Sequence, residues 1–77
     1  MELKKYKDLS GSAGVTGYKF VANGIILQFK HKELYLYDAS IPGKHHIAQM
    51  KILAEKGRGL TTYVNQNIRD NYKEKLN

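Results

Sequence analysis

Residues 24–38 read GIILQFKHKELYLYD. Ile25, Leu27 and Phe29 alternate with Ile26, Gln28 and Lys30, the period of two that a half-buried strand requires. Across the polar link His31-Lys32-Glu33, Leu34 to Tyr37 supply a second β-prone run. Upstream, Val15, Tyr18, Phe20 and Val21 form a third, closed by Asn23-Gly24, a strong turn dipeptide. Three short strands with short links pair as an antiparallel meander, because a parallel crossover needs more chain than stands between them.

Beyond Ser40 the apolar period changes. In GKHHIAQMKILAEKG, Ile47, Met50 and Leu53 or Ala54 recur at three and four residues, which predicts a helix with Ser40 as a cap near Pro42 and Gly57 as the stop. After RGLTT, the residues Leu60, Val64, Ile68, Tyr72 and Leu76 stand four apart and predict a second helix, with Thr61 or Thr62 as its cap. Both helices need a surface to cover, and one sheet face is the only candidate. The expected fold class is therefore α+β: a small antiparallel three-stranded meander packed against two C-terminal helices (β-β-β-α-α). Residues 1–13, Lys-rich and then SGSAG, are expected to be a flexible or short helical segment outside a domain spanning 14–77.

Composition bounds the function. A chain of 77 residues has room for one modest core. It has no Cys, so disulfide frameworks and thiolate metal cages are excluded. The N-terminal stretch carries no apolar export core, and no run approaches the roughly 20 apolar residues of a membrane span. The expected setting is cytoplasmic, with no membrane partner. A formal net charge of +6 favours polyanionic partners, nucleic acid among them. The basic residues form no dense block, so any basic patch has to be assembled by folding.

Gly17-Tyr18, the IILQF strand, the paired Tyr35 and Tyr37, Ile41-Pro42 ahead of the first helix and YVNQNIRDNY at 63–72 occur in an order and spacing that resemble the KTSC domain family. These are small bacterial and phage modules that are also fused to the C-terminus of some lysyl-tRNA synthetases. The resemblance runs from about Gly17 to Tyr72. The sequence departs from the family pattern in three places. His31-Lys32 replaces an Asn-Gly turn, one residue is added between Asp38 and Pro42, and GRGLTTY makes a longer link. The resemblance implies an α+β fold and no established activity; the synthetase fusion points toward RNA.

The candidate contacts for nucleic acid are Lys30, Lys32, Lys44, Arg58 and Arg69 for phosphate, Asn65 for hydrogen bonding, and Tyr35 and Tyr37 for base stacking, which is worth about 1–3 kcal/mol per base. An even loop after Phe29 would set Phe29 against Leu34 and turn both tyrosines to the open face. A shift of one residue would turn them into the core, the preferred reading, because the helix-covered face needs its large rings. Asn65 and Arg69 lie one turn apart on a helix and share a side. The bland alternative pairs Arg69 with a carboxylate such as Asp38. The Lys44–His45 helix entrance is a weaker anion candidate.

His45 and His46 are adjacent and diverge on a helix, so they cannot clasp one metal together, and no metal or cofactor is expected. Catalytic pairings have no spacing above chance, so an enzyme is not expected. The leading expectation is a non-catalytic module for RNA or single-stranded nucleic acid. The rivals are a protein-interaction or self-assembling (homo-oligomeric) module and a binder of a small phosphorylated nucleotide.

Overall fold

A computed structural model of the chain describes residues 2–9, 11 and 14–77. Residues 1, 10, 12 and 13 lie outside the described set, and with them most of the small-residue stretch expected to be mobile. The elements in order are β1 (Lys4–Lys5), β2 (Val15–Val21), β3 (Gly24–Phe29), β4 (Leu34–Asp38), α1 (Lys44–Lys56), α2 (Leu60–Tyr63) continuing into a π-helical turn (Val64–Ile68), and β5 (Glu74–Lys75). All strands pair antiparallel in the order β1-β2-β3-β4-β5. The meander and the two helices are present, but the sheet has five strands rather than three. The two additional ones are two-residue edges that carry no periodic signal.

The link between β3 and β4 sets the register. The Phe29 N–H donates to the Glu33 carbonyl at 3.0 Å and the Lys32 N–H to the Phe29 carbonyl at 2.8 Å. These bonds enclose a three-residue loop, Lys30 to Lys32, whose last residue takes φ 70°. That is the geometry in which a left-handed third residue closes an odd-length hairpin. Leu27 consequently faces Tyr35 and Ile25 faces Tyr37 across the ladder. The even-loop register, with Leu27 against Leu36, does not form, and both tyrosines point to the helix-covered side. A bulge in β2 between Val15 and Gly17 has a similar effect. It lets Val15 and Tyr18, three residues apart, both bury on that same side.

The core on this side joins Tyr6, Val15, Tyr18, Ile25, Leu27 and Tyr37 of the sheet to Ile47, Met50 and Ala54 of α1 and to Leu60, Val64 and Ile68 of the second helix. Asn23-Gly24 divides its labour. Asn23 takes the positive φ of the turn, 59°, and Gly24 begins β3, where a Cβ would come within 2.5 Å of the Tyr37 carbonyl oxygen.

The N-terminal segment is not helical where it is described: Lys4–Lys5 form a strand and Leu9 lies in a turn. β1 pairs with β2, and the next residue, Tyr6, is 2 % exposed. The Tyr6 hydroxyl accepts the Leu60 N–H at 3.0 Å, satisfying an orphan donor at the start of the second helix. Tyr6 thus packs in the same core as the strands and helices that follow. Tyr6, rather than Thr61 or Thr62, serves the helix entrance. Thr61 is buried, and its Oγ1 accepts the Val15 N–H at 3.0 Å, tying the helix to the start of β2.

Ser40 is not a helix cap either. Gly43 precedes α1 with no side-chain cap, while Ser40 helps close the loop after β4. Asp38 Oδ1 accepts the Ser40 hydroxyl at 2.6 Å and the N–H groups of Ser40 and Ile41 at 2.9 and 3.1 Å. The Ser40 hydroxyl first, then the Ile41 amide, hold this carboxyl below its ordinary pKa. A depressed folded-state pKa means that the contribution to stability is complete above the ordinary value and is lost as pH falls through the lowered one. Asp38→Asn is expected to flatten the acid limb of stability between about pH 5 and pH 2. Thermal unfolding across that range is the check, and superimposable curves for the two proteins would contradict this role. Gly57 ends α1 as expected, at φ 80° with its N–H on the Leu53 carbonyl.

The second helix stops at Ile68 and does not carry on to Tyr72 and Leu76. Residues four apart overshoot an α-helical turn by about 40°, so a strict four-residue stripe drifts around the helix. The wider π turn over Val64–Ile68, closed by the Arg69 N–H on the Val64 carbonyl at 2.7 Å, offsets that drift and keeps Leu60, Val64 and Ile68 on the core. Beyond it the chain reverses and pairs with β4. Lys73 N–H reaches the Leu36 carbonyl at 2.7 Å and Leu76 N–H the Leu34 carbonyl at 2.8 Å. Asn77 then brackets the hairpin, accepting the Leu34 N–H at 3.0 Å and donating to the Lys32 carbonyl at 2.8 Å.

Candidate nucleic-acid interface

The reversal after the π turn builds one of several recesses of similar size, the one that gathers most of the candidate contacts. The Asn71 N–H donates to the Ile68 carbonyl at 3.0 Å, closing a four-residue turn with Arg69 at its first central position. Arg69 there has φ 52° and ψ −119°. This is the first central position of a II′-type turn, a conformation that glycine adopts readily and a side chain only at a cost. The turn sets Arg69, Asp70 and Tyr72 beside the open end of the β3–β4 hairpin.

The resulting open pocket has a volume of about 520 Å³ and is lined by Gly14, Phe29, Lys30, His31, Glu33, Tyr35, Tyr37, Val64, Asn65, Arg69, Asp70 and Tyr72. Its wall is aromatic. The Tyr35 ring lies 4.6 Å from that of Tyr72 and meets Phe29 edge-on at 5.7 Å. Tyr37 is 1 % exposed and belongs to the core, so its ring offers no free face for a base. Burial, then the proximity of Tyr35, Tyr72 and Asp70, pushes its phenol pKa well up, so it stays protonated at any physiological pH. The rim carries both signs of charge, with Lys30 and Arg69 as cations and Glu33 and Asp70 as anions.

Of the candidate contacts, the fold brings Lys30, Tyr35, Tyr37, Asn65 and Arg69 to this one pocket. The others are apart from it. Lys32 closes the adjacent hairpin, and Lys44 opens α1, whose entrance carries no side-chain cap. Arg58 lines a shallower hollow with Lys56, Tyr63, Gln66 and Asn67, on the other flank of the second helix. Asp38 is engaged with Ser40 and Ile41, with Lys73 the nearby charge that bears on it, and the acids that share the pocket with Arg69 are Glu33 and Asp70.

His31, Glu33, Asp70 and Tyr72 are pocket residues that the sequence reading did not select. Tyr72 belongs to the four-residue stripe that predicts a helix, which the chain abandons at Ile68. His46 is occupied structurally, its Nδ1 lying 2.7 Å from the Tyr63 hydroxyl and linking the two helices. Among the described residues, no group of three or more His, Cys, Asp or Glu is placed to hold a metal, and no helix is long and apolar enough to cross a membrane. Comparisons with family models, curated proteins and solved structures find no match for this chain.

Proposed function

We propose that this chain is a non-catalytic, KTSC-like module that holds single-stranded nucleic acid, RNA in particular, with one nucleotide in the pocket of the β3–β4 hairpin. The observation that carries the reading is the convergence there of a guanidinium, an ammonium, an amide and an aromatic pair, from Arg69, Lys30, Asn65 and Tyr35 with Tyr72. Arg69 and Lys30 serve the phosphate, since an arginine fork matches its oxygens and a lysine supplies a point charge. Tyr35 and Tyr72 give the base an apolar wall, and Asn65 with Asp70 and Glu33 supplies acceptors for amino groups on the base edge. The remaining lysines and Arg58 act at longer range, where a net charge of +6 steers a polyanion toward the surface.

Because acids share the rim, only a couple of phosphates are held closely. Fluorescence titration with a short oligouridylate should give a log–log salt slope of about −1.4, from two contacts on a single strand. Lys30→Ala should weaken affinity several-fold whatever the base composition. Affinity indifferent to salt between low and physiological strength would contradict phosphate contact.

The size of the pocket favours one second reading, a small phosphorylated nucleotide as the natural ligand. It differs in outcome: mononucleotides would raise the melting temperature and oligouridylate would not.

A further inference from the structure

The sheet face turned away from the helices holds a pattern that the pocket does not use. Pairing aligns Lys19 with Ile26, Ile26 with Leu36, and Leu36 with Glu74, so these four side chains form one row across β2, β3, β4 and β5. They alternate along their strands with Tyr18, Leu27 and Tyr35, which pack with the helices. Ile26 is 6 % exposed yet lies outside that core, and Leu34 and Leu76, half-buried, extend the apolar strip on the same face. Among the described residues, neither helix covers it.

We propose that this face is the contact between two copies of the chain in an isologous, face-to-face dimer. The charge order argues for a second copy, because the row begins with a cation, passes through two aliphatic residues and ends with an anion. A twofold axis running along the strands between Ile26 and Leu36 lays Lys19 over the partner's Glu74 and Ile26 over the partner's Leu36. The reciprocal contacts follow by symmetry. Sheets stacked in this aligned manner stand about 10 Å apart, a gap that a lysine and a glutamate span together. The other in-plane twofold, across the strands, would set Lys19 against Lys19 and is disfavoured. The row is thus complementary to itself in one arrangement only.

The molecule measures 29 × 24 × 20 Å, so this face is smaller than the roughly 800 Å² per partner of stable complexes, and the dimer belongs to the weak class. Its rim charges then make a readable share of the affinity.

Sedimentation velocity of the full chain over a concentration series, at low ionic strength, provides the test. The wild type should self-associate to a dimer. Lys19→Glu and Glu74→Lys should each weaken association by about tenfold, since each turns two attractions into repulsions. The double variant K19E/E74K should return to within about threefold of the wild type. Both side chains are exposed, so neither change threatens the fold. A wild type that stays monomeric, a dimer that ignores either single reversal, or a double variant as weak as the singles would each overturn the proposal.

Discussion

Tyr6→Ala is expected to lose about 3–5 kcal/mol of stability, the cost of truncating a large buried ring, which is a large share of what a domain of this size possesses. The ring is 2 % exposed within the core, and its hydroxyl accepts the first amide of the second helix. Tyr6→Phe keeps the ring and orphans the Leu60 N–H, so it should cost about 1–2 kcal/mol. Urea unfolding followed by circular dichroism separates the two. A Tyr6→Ala cost below about 1 kcal/mol, within the range of ordinary surface changes, would mean that the N-terminal segment is an appendage and not part of the domain.

Arg69→Gly should move stability and binding in opposite directions. At φ 52° and ψ −119°, Arg69 holds a conformation costing a side chain about 1–3 kcal/mol. Glycine removes that strain but loses more chain entropy on folding, which returns about 0.5–1 kcal/mol of the gain. A net stabilisation of about 1 kcal/mol remains. The same change deletes the guanidinium from the pocket, so oligouridylate affinity should fall tenfold or more. Arg69→Ala should show the second effect without the first. A residue kept in a strained turn at the mouth of a pocket, directly after a π turn, is the pattern expected where local stability yields to function. Destabilisation by Arg69→Gly would remove the strain from this account, and unchanged affinity would remove Arg69 from the interface.

The legible parts of the fold were those with a period. Alternation in 25–29 and 34–37, the three-and-four spacing through Ile47, Met50 and Ala54, and the Gly57 stop all reappear in the structure as strands and helix. The register between β3 and β4 was not legible, because it turns on whether one lysine, Lys32, accepts a left-handed backbone; a three-residue and a four-residue link look alike in KHKE. Leu60, Val64, Ile68, Tyr72 and Leu76 misled for a related reason. A four-residue stripe fits an α-helix only with drift, and the chain resolves the mismatch by a π turn and then leaves the helix. Edge strands of two residues are too short to show an alternation in side-chain pattern.

The site followed the same division. Lys30, Asn65 and Arg69 could be picked by type and spacing, and the fold gathers them. Tyr72 and Asp70 could not, since their positions depend on the reversal after Ile68, and neither could His31 and Glu33, which take their places from the β3–β4 loop whose length the residues leave open. Tyr35 and Tyr37 stand out as a pair in the sequence, yet only Tyr35 keeps part of its ring at the pocket wall while Tyr37 is absorbed into the core.

The most direct test is an amide chemical-shift map of the protein titrated with short oligouridylate. Binding at the β3–β4 pocket predicts progressive shifts concentrated at Lys30, His31, Asn65, Arg69 and Asp70, with Arg58 and Gln66 on the far flank of the second helix little moved. Shifts centred instead on Lys19, Ile26 and Leu36, or no shifts at all, would contradict it.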